Sequence, residues 1–196
     1  MLLHDKLKSY RLILASQSPR RRQLLADAGI EYELAPRFEC DEVFPEDLPA
    51  AEVAEYLSRL KSEAYPLQLE KNDILLTADT VVVAGGEVLG KPADRADAIA
   101  IIEKLSGKEH EVITGVTLRC AGAVKSFSSH SKVHFRPLSQ EEIEYYVDTY
   151  SPMAKAGAYG IQEWIGYVGI EGIEGSFYNV MGLPIQRVYC ELNEFV

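Results

Sequence analysis

Short apolar runs and longer stretches of helical period alternate along this chain, and that rhythm places most of its elements. Leu12, Ile13, Leu14 and Ala15 form an uninterrupted apolar run, the pattern of a buried strand. Ser16-Gln17-Ser18 turns the chain; Ser18 suits an N-cap and Pro19 the first helical position. The helix that follows carries Leu24, Leu25 and Ala28 on one face and stops at Gly29. Tyr32 to Ala35 reads as a short strand and 36–49 as an acidic loop. Asp47 is placed to cap a helix opened by Pro49, with Val53, Ala54, Leu57, Leu60 and Ala64 as its apolar face. Lys61 projects from the last turns of that helix, and Pro66 ends it. Ile74 to Ala78 is a second buried strand, with Asp79-Thr80 at its C-terminal end. Val81-Val82-Val83 continues extended to a hairpin turn at Gly85-Gly86.

Lys91-Pro92 links tightly into a helix buried through Ala96, Ile99, Ala100, Ile102 and Leu105 and ended by Gly107. Residues 111–119 and 124–135 read as two long strands joined at Ala121-Gly122. Ser139-Gln140-Glu141-Glu142 is a capping box, followed by Ile143, Tyr146, Val147 and Tyr150 on one helical face. The stretch 157–182, dense in glycine and aromatic residues, reads as short strands and loops walling a pocket. Trp164, Tyr159, Tyr167 and Phe177 serve there as core and wall, and Pro184 starts the last helix. Strands and helices interleave with no linker-like break. They predict an α/β class and a single domain over 1–196, with a two-lobed cleft.

Composition narrows the function. With 196 residues, 47% of them hydrophobic, the chain can build one sizeable core or two lobes sharing a sheet. A formal charge of −10 argues against a nonspecific nucleic-acid or acidic-membrane binder. It also makes Arg20-Arg21-Arg22 stand out. Cations in a first helical turn oppose the helix dipole unless an anion sits against the orphan N–H groups. A solvated arginine face is the plainer alternative, but strand, turn, cap and cations coincide here and favour a phosphate site. Cys40, Cys120 and Cys190 are odd in number and lack C-x-x-C spacing, as reduced thiols of a cytoplasmic protein would. There is no signal-peptide core and no apolar run of membrane length.

Several side chains have chemical promise. Asp79, a carboxylate ending an apolar strand, sits where open α/β sheets bind ligands, although an Asx turn would use the same residues. Glu42, with Asp41 beside it, lies in the acidic loop, where plain solubility is the competing explanation. Lys61 and Lys91 equally suit surface lysines with buried stems; Lys91 is the stronger candidate because Gly90 and Pro92 constrain its backbone. Gln162 follows a strand-like approach and offers a donor and an acceptor to a base edge. His130 and His134 are spaced i, i+4 in a predicted strand, which suits structural or exposed histidines better than metal ligands. No G-x-x-x-x-G-K-[ST] or G-x-G-x-x-G is present, and Ser16 and Ser18 lack a placed histidine partner.

Taken in order, the segments Ala15-Ser16-Gln17-Ser18-Pro19-Arg20-Arg21, Thr77-Ala78-Asp79-Thr80-Val81-Val82, Gly90-Lys91-Pro92, Leu105-Ser106-Gly107-Lys108-Glu109-His110, Lys155-Ala156-Gly157-Ala158-Tyr159-Gly160-Ile161-Gln162 and Gly175-Ser176-Phe177-Tyr178-Asn179-Val180-Met181-Gly182-Leu183-Pro184 resemble the Maf family of nucleoside triphosphate pyrophosphatases over nearly the whole chain. The resemblance implies an elongated mixed sheet with flanking helices, two lobes around a central cleft, and frequent homodimers. It implies release of pyrophosphate from a nucleoside triphosphate with a divalent cation, Mg²⁺ or Mn²⁺. The Ser-Pro-Arg-Arg and Tyr-Gly-Ile-Gln forms are similar to the branch acting on dTTP and UTP, which clears non-standard or excess pyrimidine nucleotides. By match, Asp79 is the proton acceptor, and Arg20, Thr80 and Gln162 select the substrate. Ser16, Arg21, Glu42, Lys61 and Lys91 fall on other active-site positions, with Asp79 and Glu42 as metal ligands. Glu42 as base with Asp79 as ligand stays open. So does a nucleotide-binding regulator of cell division, an inhibitor of septum formation needing no turnover.

Overall fold

A computed structural model describes residues 1–196. The chain opens with helix α1 (Leu3–Leu7), which the mixed, charged N-terminus did not predict, then strand β1 (Arg11–Leu14), α2 (Pro19–Asp27) and β2 (Glu33–Leu34). Helix α3 (Ala50–Ala64) and strands β3 (Asp73–Ala84) and β4 (Glu87–Leu89) precede α4 (Arg95–Leu105). Strands β5 (Glu109–Arg119) and β6 (Val124–Phe135) lead to α5 (Gln140–Tyr150). Two single 3₁₀ turns, α6 (Trp164–Gly169), β7 (Ile170–Glu174), α7 (Phe177–Met181) and α8 (Ile185–Phe195) complete it. The seven strands form one mixed sheet in the order β2-β1-β3-β5-β6-β7, with β4 added to β3. The expected α/β class is therefore present.

The residues divide into two compact units. The first holds 1–79, 114–129 and 182–196; the second holds 80–113 and 130–181. In the first unit β1 lies parallel to both β2 and β3, with Leu14 opposite Leu34 and Leu76. Arg11 and Asp73, direct partners in the β1–β3 ladder, close its start with a two-pronged ion pair of 2.8 and 2.7 Å. Ile13, Ala15, Ala35, Tyr65, Leu69 and Leu75 pack beside the ladder. Helix α1 buries Leu3 and Leu7 and donates from Lys6 Nζ to the Asn193 carbonyl of α8.

The second unit has its own core, in which Ile101, Ile102 and Leu105 of α4 meet Ile143, Tyr146 and Val147 of α5. The Asp94 side chain caps α4 by accepting from the Asp97 N–H. The capping box of α5 forms as the sequence predicts, Ser139 and Glu142 bonding reciprocally.

Several local expectations need correction. Asp79 does not end its strand: the β-branched run Val81-Val82-Val83 keeps β3 extended to Ala84, paired to β4. It is β1 that ends, at Leu14, leaving Asp79 beyond the last rung, Leu76. Asp47 does not cap α3; Pro49 occupies the N-cap, with no side-chain hydrogen bond. In α4 the buried face is Ala98, Ile101, Ile102 and Leu105, while Ala96 and Ala100 are exposed, because the bulkier isoleucines set the phase. Ala28 of the α2 region is exposed. The stretch 157–182 is more helical than expected, with β7 its one strand. Among its aromatics Tyr159 is buried, whereas Tyr167 and Phe177 face solvent.

Candidate active site

In the first unit the site begins with how α3 is seated. A Cβ on Gly115 of β5 would stand 2.2 Å from the Ala54 carbonyl oxygen, so strand and helix meet backbone to backbone. Along the rest of the seam, polar bonds join the buried Val53 and Leu57 in seating the helix. Thr77 Oγ1 donates to the Ser58 carbonyl at 2.6 Å, and Ser58 Oγ, itself a donor to the Glu55 carbonyl, accepts from Thr117 Oγ1 at 2.8 Å. Arg119 holds Ser62 Oγ and the Ser62 carbonyl at 3.0 and 2.5 Å. These bonds set the axial position of α3, and Lys61 lies between the last two serines. Its Nζ stands 2.5 Å from Asp79 Oδ1 and 3.2 Å from Glu42 Oε1. The acidic loop thus delivers Glu42 to the same ammonium that holds the strand carboxylate. Asp79 and Lys61 are largely buried there, with side chains 12% and 16% exposed, while Glu42 stays open at 44%. Burial pushes the neighbouring Cys40 thiol up, away from thiolate chemistry.

Helix α2 places two adjacent arginines differently. Arg21 is not a solvated first-turn arginine. Its Nε donates to the Gly182 carbonyl at 2.7 Å, and its Nη1 to the Ala78 carbonyl at 3.0 Å and to Ser16 Oγ at 3.3 Å. Desolvation lowers its pKa, opposed by the nearby Asp79 charge. Arg21 therefore pins the backbone immediately before Asp79. Ser18 provides no side-chain cap for α2, and its own N–H donates to Ser16 Oγ at 3.3 Å. Arg20 is partly exposed on the same first turn.

In the second unit, Thr80 follows Asp79 along β3, where successive side chains point to opposite faces. Lys91 is exposed in the link between β4 and α4. The neighbouring Gly90 carbonyl accepts from the Gly157 N–H at 3.1 Å. Gln162 lies in the loop 155–163, partly buried, and its Oε1 is fully buried without a hydrogen-bond partner. Such an atom suits a ligand that donates to it.

Sequence reasoning missed the residues that hold this loop. Tyr146 is fully buried on α5; its hydroxyl donates to Glu163 Oε2 and accepts from the Gly160 N–H at 3.0 Å. Lys155 Nζ pairs with Glu163 Oε1 at 2.5 Å. The helical period marked Tyr146 as core, and its polar tip was the available signal. His110, buried in the same unit, meets the Tyr159 hydroxyl through Nε2 at 2.6 Å and stacks on Phe135. Burial, helped by the charge of His134, lowers its pKa to about 4.

The two spaced histidines of β6 enter ordinary pairs. His130 meets Glu111 at 2.5 Å, and His134 lies 3.4 Å from both Glu109 and Glu174. The ligand atoms of Glu109, His134 and Glu174 fall within 4.8 Å of one another on partly exposed strands. The carboxylates of Asp79 and Glu42 suit a hard divalent cation better. They supply oxygen donors only, and both already converge on one positive charge, the Lys61 ammonium. No helix is long and apolar enough to cross a membrane.

The profile of a family described as "Maf-like protein" matches residues 11–195. The chain belongs to the Maf family. Its Maf relatives are similar from end to end. A protein named dTTP/UTP pyrophosphatase from Bacteroides thetaiotaomicron is 52% identical over 96% of this chain and 97% of its own length. Proteins of the same name from Phocaeicola vulgatus and Parabacteroides distasonis are 49% and 48% identical, each over 97% of this chain and 98% and 99% of their own lengths. Among solved structures, a HAM1 protein from Coxiella burnetii aligns with 94% of this chain and 99% of its own at 15% identity and a TM-score of 0.47, too slight a likeness to build on.

Proposed function

We propose that this protein hydrolyses UTP and dTTP to the monophosphate and pyrophosphate, clearing non-standard or excess pyrimidine nucleotides. The observation that carries the reading is the Lys61–Asp79–Glu42 cluster, two carboxylates around one ammonium, in a chain whose relatives bear the name dTTP/UTP pyrophosphatase. Hydrolysis at the α-phosphorus needs three things of the side chains. The triphosphate's charge must be neutralised; Arg20, Lys61, Lys91 and the uncapped start of α2 supply positive potential for it. Arg21 and Ser16 brace the chain at Ala78, immediately before Asp79, and Arg21 adds its charge close to the carboxylates. A carboxylate must accept the proton of the attacking water as its oxygen bonds to phosphorus and the bond to the pyrophosphate oxygen breaks. Asp79 takes that part, with Glu42 as the second carboxylate. The base must be chosen, and Gln162 with Thr80 and Arg20 takes that role.

Asp79 and Glu42 would also hold the divalent cation, Mg²⁺ or Mn²⁺. Bound there, such an ion neutralises phosphate oxygens and acidifies water. We further place the protein in the cytoplasm as a homodimer acting on a free nucleotide rather than on nucleic acid. The test is a screen of nucleoside triphosphates with Mg²⁺ or Mn²⁺, measuring pyrophosphate and orthophosphate separately. Pyrophosphate from UTP and dTTP is the expected result. Tight binding with no release would replace the enzyme by a nucleotide-sensing regulator, and orthophosphate alone would mean that a different bond is cut.

A further inference from the structure

Gln162 poses a physical problem: its Oε1 is buried and unpartnered, so no bond of that atom fixes the amide's direction. Its orientation must come from the backbone of the loop 155–163, and that backbone is held by polar contacts beneath it. Lys155 and Glu163, the first and last residues of the loop, are joined at 2.5 Å with both side chains mostly buried. The Tyr146 hydroxyl ties Glu163 to the Gly160 N–H, two residues before Gln162. A Cβ at Gly160 would stand 3.1 Å from Glu163 Cδ and Lys155 Cε, so the loop lies directly on the pair. Within the loop Gly157 and Ala158 both adopt left-handed backbone, at φ 69° and 58°. For alanine that conformation is disfavoured, and it persists where surrounding contacts over-determine it. A buried ion pair is a poor choice for stability alone, since well-packed apolar residues serve as well or better. A fully satisfied polar network does give one fixed geometry.

We infer that Tyr146, Lys155 and Glu163 are positioning residues that aim Gln162 at the base of the nucleotide and so set pyrimidine selectivity without touching the substrate. This rests on Gln162 reading the base. The same loop carries Gly157, whose N–H holds the Gly90 carbonyl beside Lys91, so the clasp also steadies the approach to that lysine.

The test compares kcat/KM for UTP and CTP in the full-length protein and in Tyr146→Phe, Lys155→Met, Lys155→Arg and Gln162→Ala, with the melting temperature of each. Small displacements of a positioning group cost large factors in rate, so the UTP-over-CTP ratio should fall roughly tenfold in Tyr146→Phe and Lys155→Met. The fall should come mainly through KM for UTP, and Lys155→Arg should restore most of it. A ratio that collapses in Gln162→Ala but holds in folded Tyr146→Phe and Lys155→Met overturns the positioning role. A ratio unmoved by Gln162→Ala overturns base reading by Gln162, and the positioning role with it. Should Tyr146→Phe fail to fold, the Lys155→Met and Lys155→Arg pair decides alone.

Discussion

Lys61 Nζ and Asp79 Oδ1 stand 2.5 Å apart, and the same ammonium reaches Glu42 Oε1 at 3.2 Å. One ammonium therefore serves two carboxylates. Asp79→Asn preserves shape but removes the charge and the proton-accepting oxygen. Its kcat on UTP should fall by about 10²-fold or more while nucleotide binding survives. Glu42→Gln run beside it identifies the base: the variant whose acidic kcat–pH limb disappears has lost it. Near-normal turnover in Asp79→Asn would remove that residue from the chemistry.

The neighbours Arg20 and Arg21 should separate by phenotype. Arg21 donates to two carbonyls and a serine hydroxyl, so Arg21→Ala leaves acceptors stranded. It should cost on the order of 2 kcal/mol of stability, seen as a lower melting temperature, as well as activity. Arg20→Ala should act chiefly through KM for UTP, raised by about tenfold or more, the scale of one charge-assisted contact. Equal melting losses in both variants would count against this division.

Base choice follows from hydrogen-bond patterns. Uracil and thymine present two carbonyl acceptors around one N–H donor, and the buried Gln162 Oε1 awaits a donor. Cytosine has no N3–H and reverses the pattern at position 4, so an amide held in the orientation that reads uracil leaves site groups unpaired. Unpaired buried groups give large discrimination, whereas a methyl gives little. UTP and dTTP should be comparable substrates, CTP worse by about tenfold or more, and ATP and GTP poor in steady-state assays.

His110 should make stability depend on pH. Folded, its pKa is lowered to about 4; unfolded, it returns to the ordinary histidine value near 6.5. As pH falls below about 6.5 the unfolded chain takes up a proton that the folded protein refuses. Its contribution is complete above that pH and fades as pH falls toward about 4, a loss of roughly 3 kcal/mol at most. Denaturant titrations at several pH values should show this slope, and His110→Gln should flatten it. An unchanged slope in that variant would assign the dependence elsewhere.

Much of this was legible along the chain, for reasons that differ by residue. Apolar runs revealed β1 and the start of β3 because both are buried on two faces, and the Ser139–Glu142 box announced α5 because capping is local chemistry. The amphipathic reading placed α3 and so found Lys61 on its last turns. It could not show that Lys61 meets Glu42, since that contact depends on the path of an acidic loop with no period of its own. The internal bonds of Arg21 were hidden for a related reason. Its place in a first helical turn suggested an anion site or a solvated face, and neither reading could show the bonds to the distant Gly182 and Ala78 carbonyls. In 157–182 the glycines were read as breaks between strands. Gly166 is instead where α6 presses on its own approach, a Cβ there meeting the Ile161 carbonyl oxygen at 1.7 Å.

The serine and threonine seam beneath α3 bears on how this protein tolerates change. Oily contacts let a helix slide, whereas hydroxyl bonds act like a vernier, locking it at one graduation. A helix that slips by one residue travels about 1.5 Å, enough to carry Lys61 out of reach of Asp79. Variants selected only for heat resistance, by greasing Ser58, Ser62 or Thr117 with alanine and valine, would keep their shape and lose their calibration.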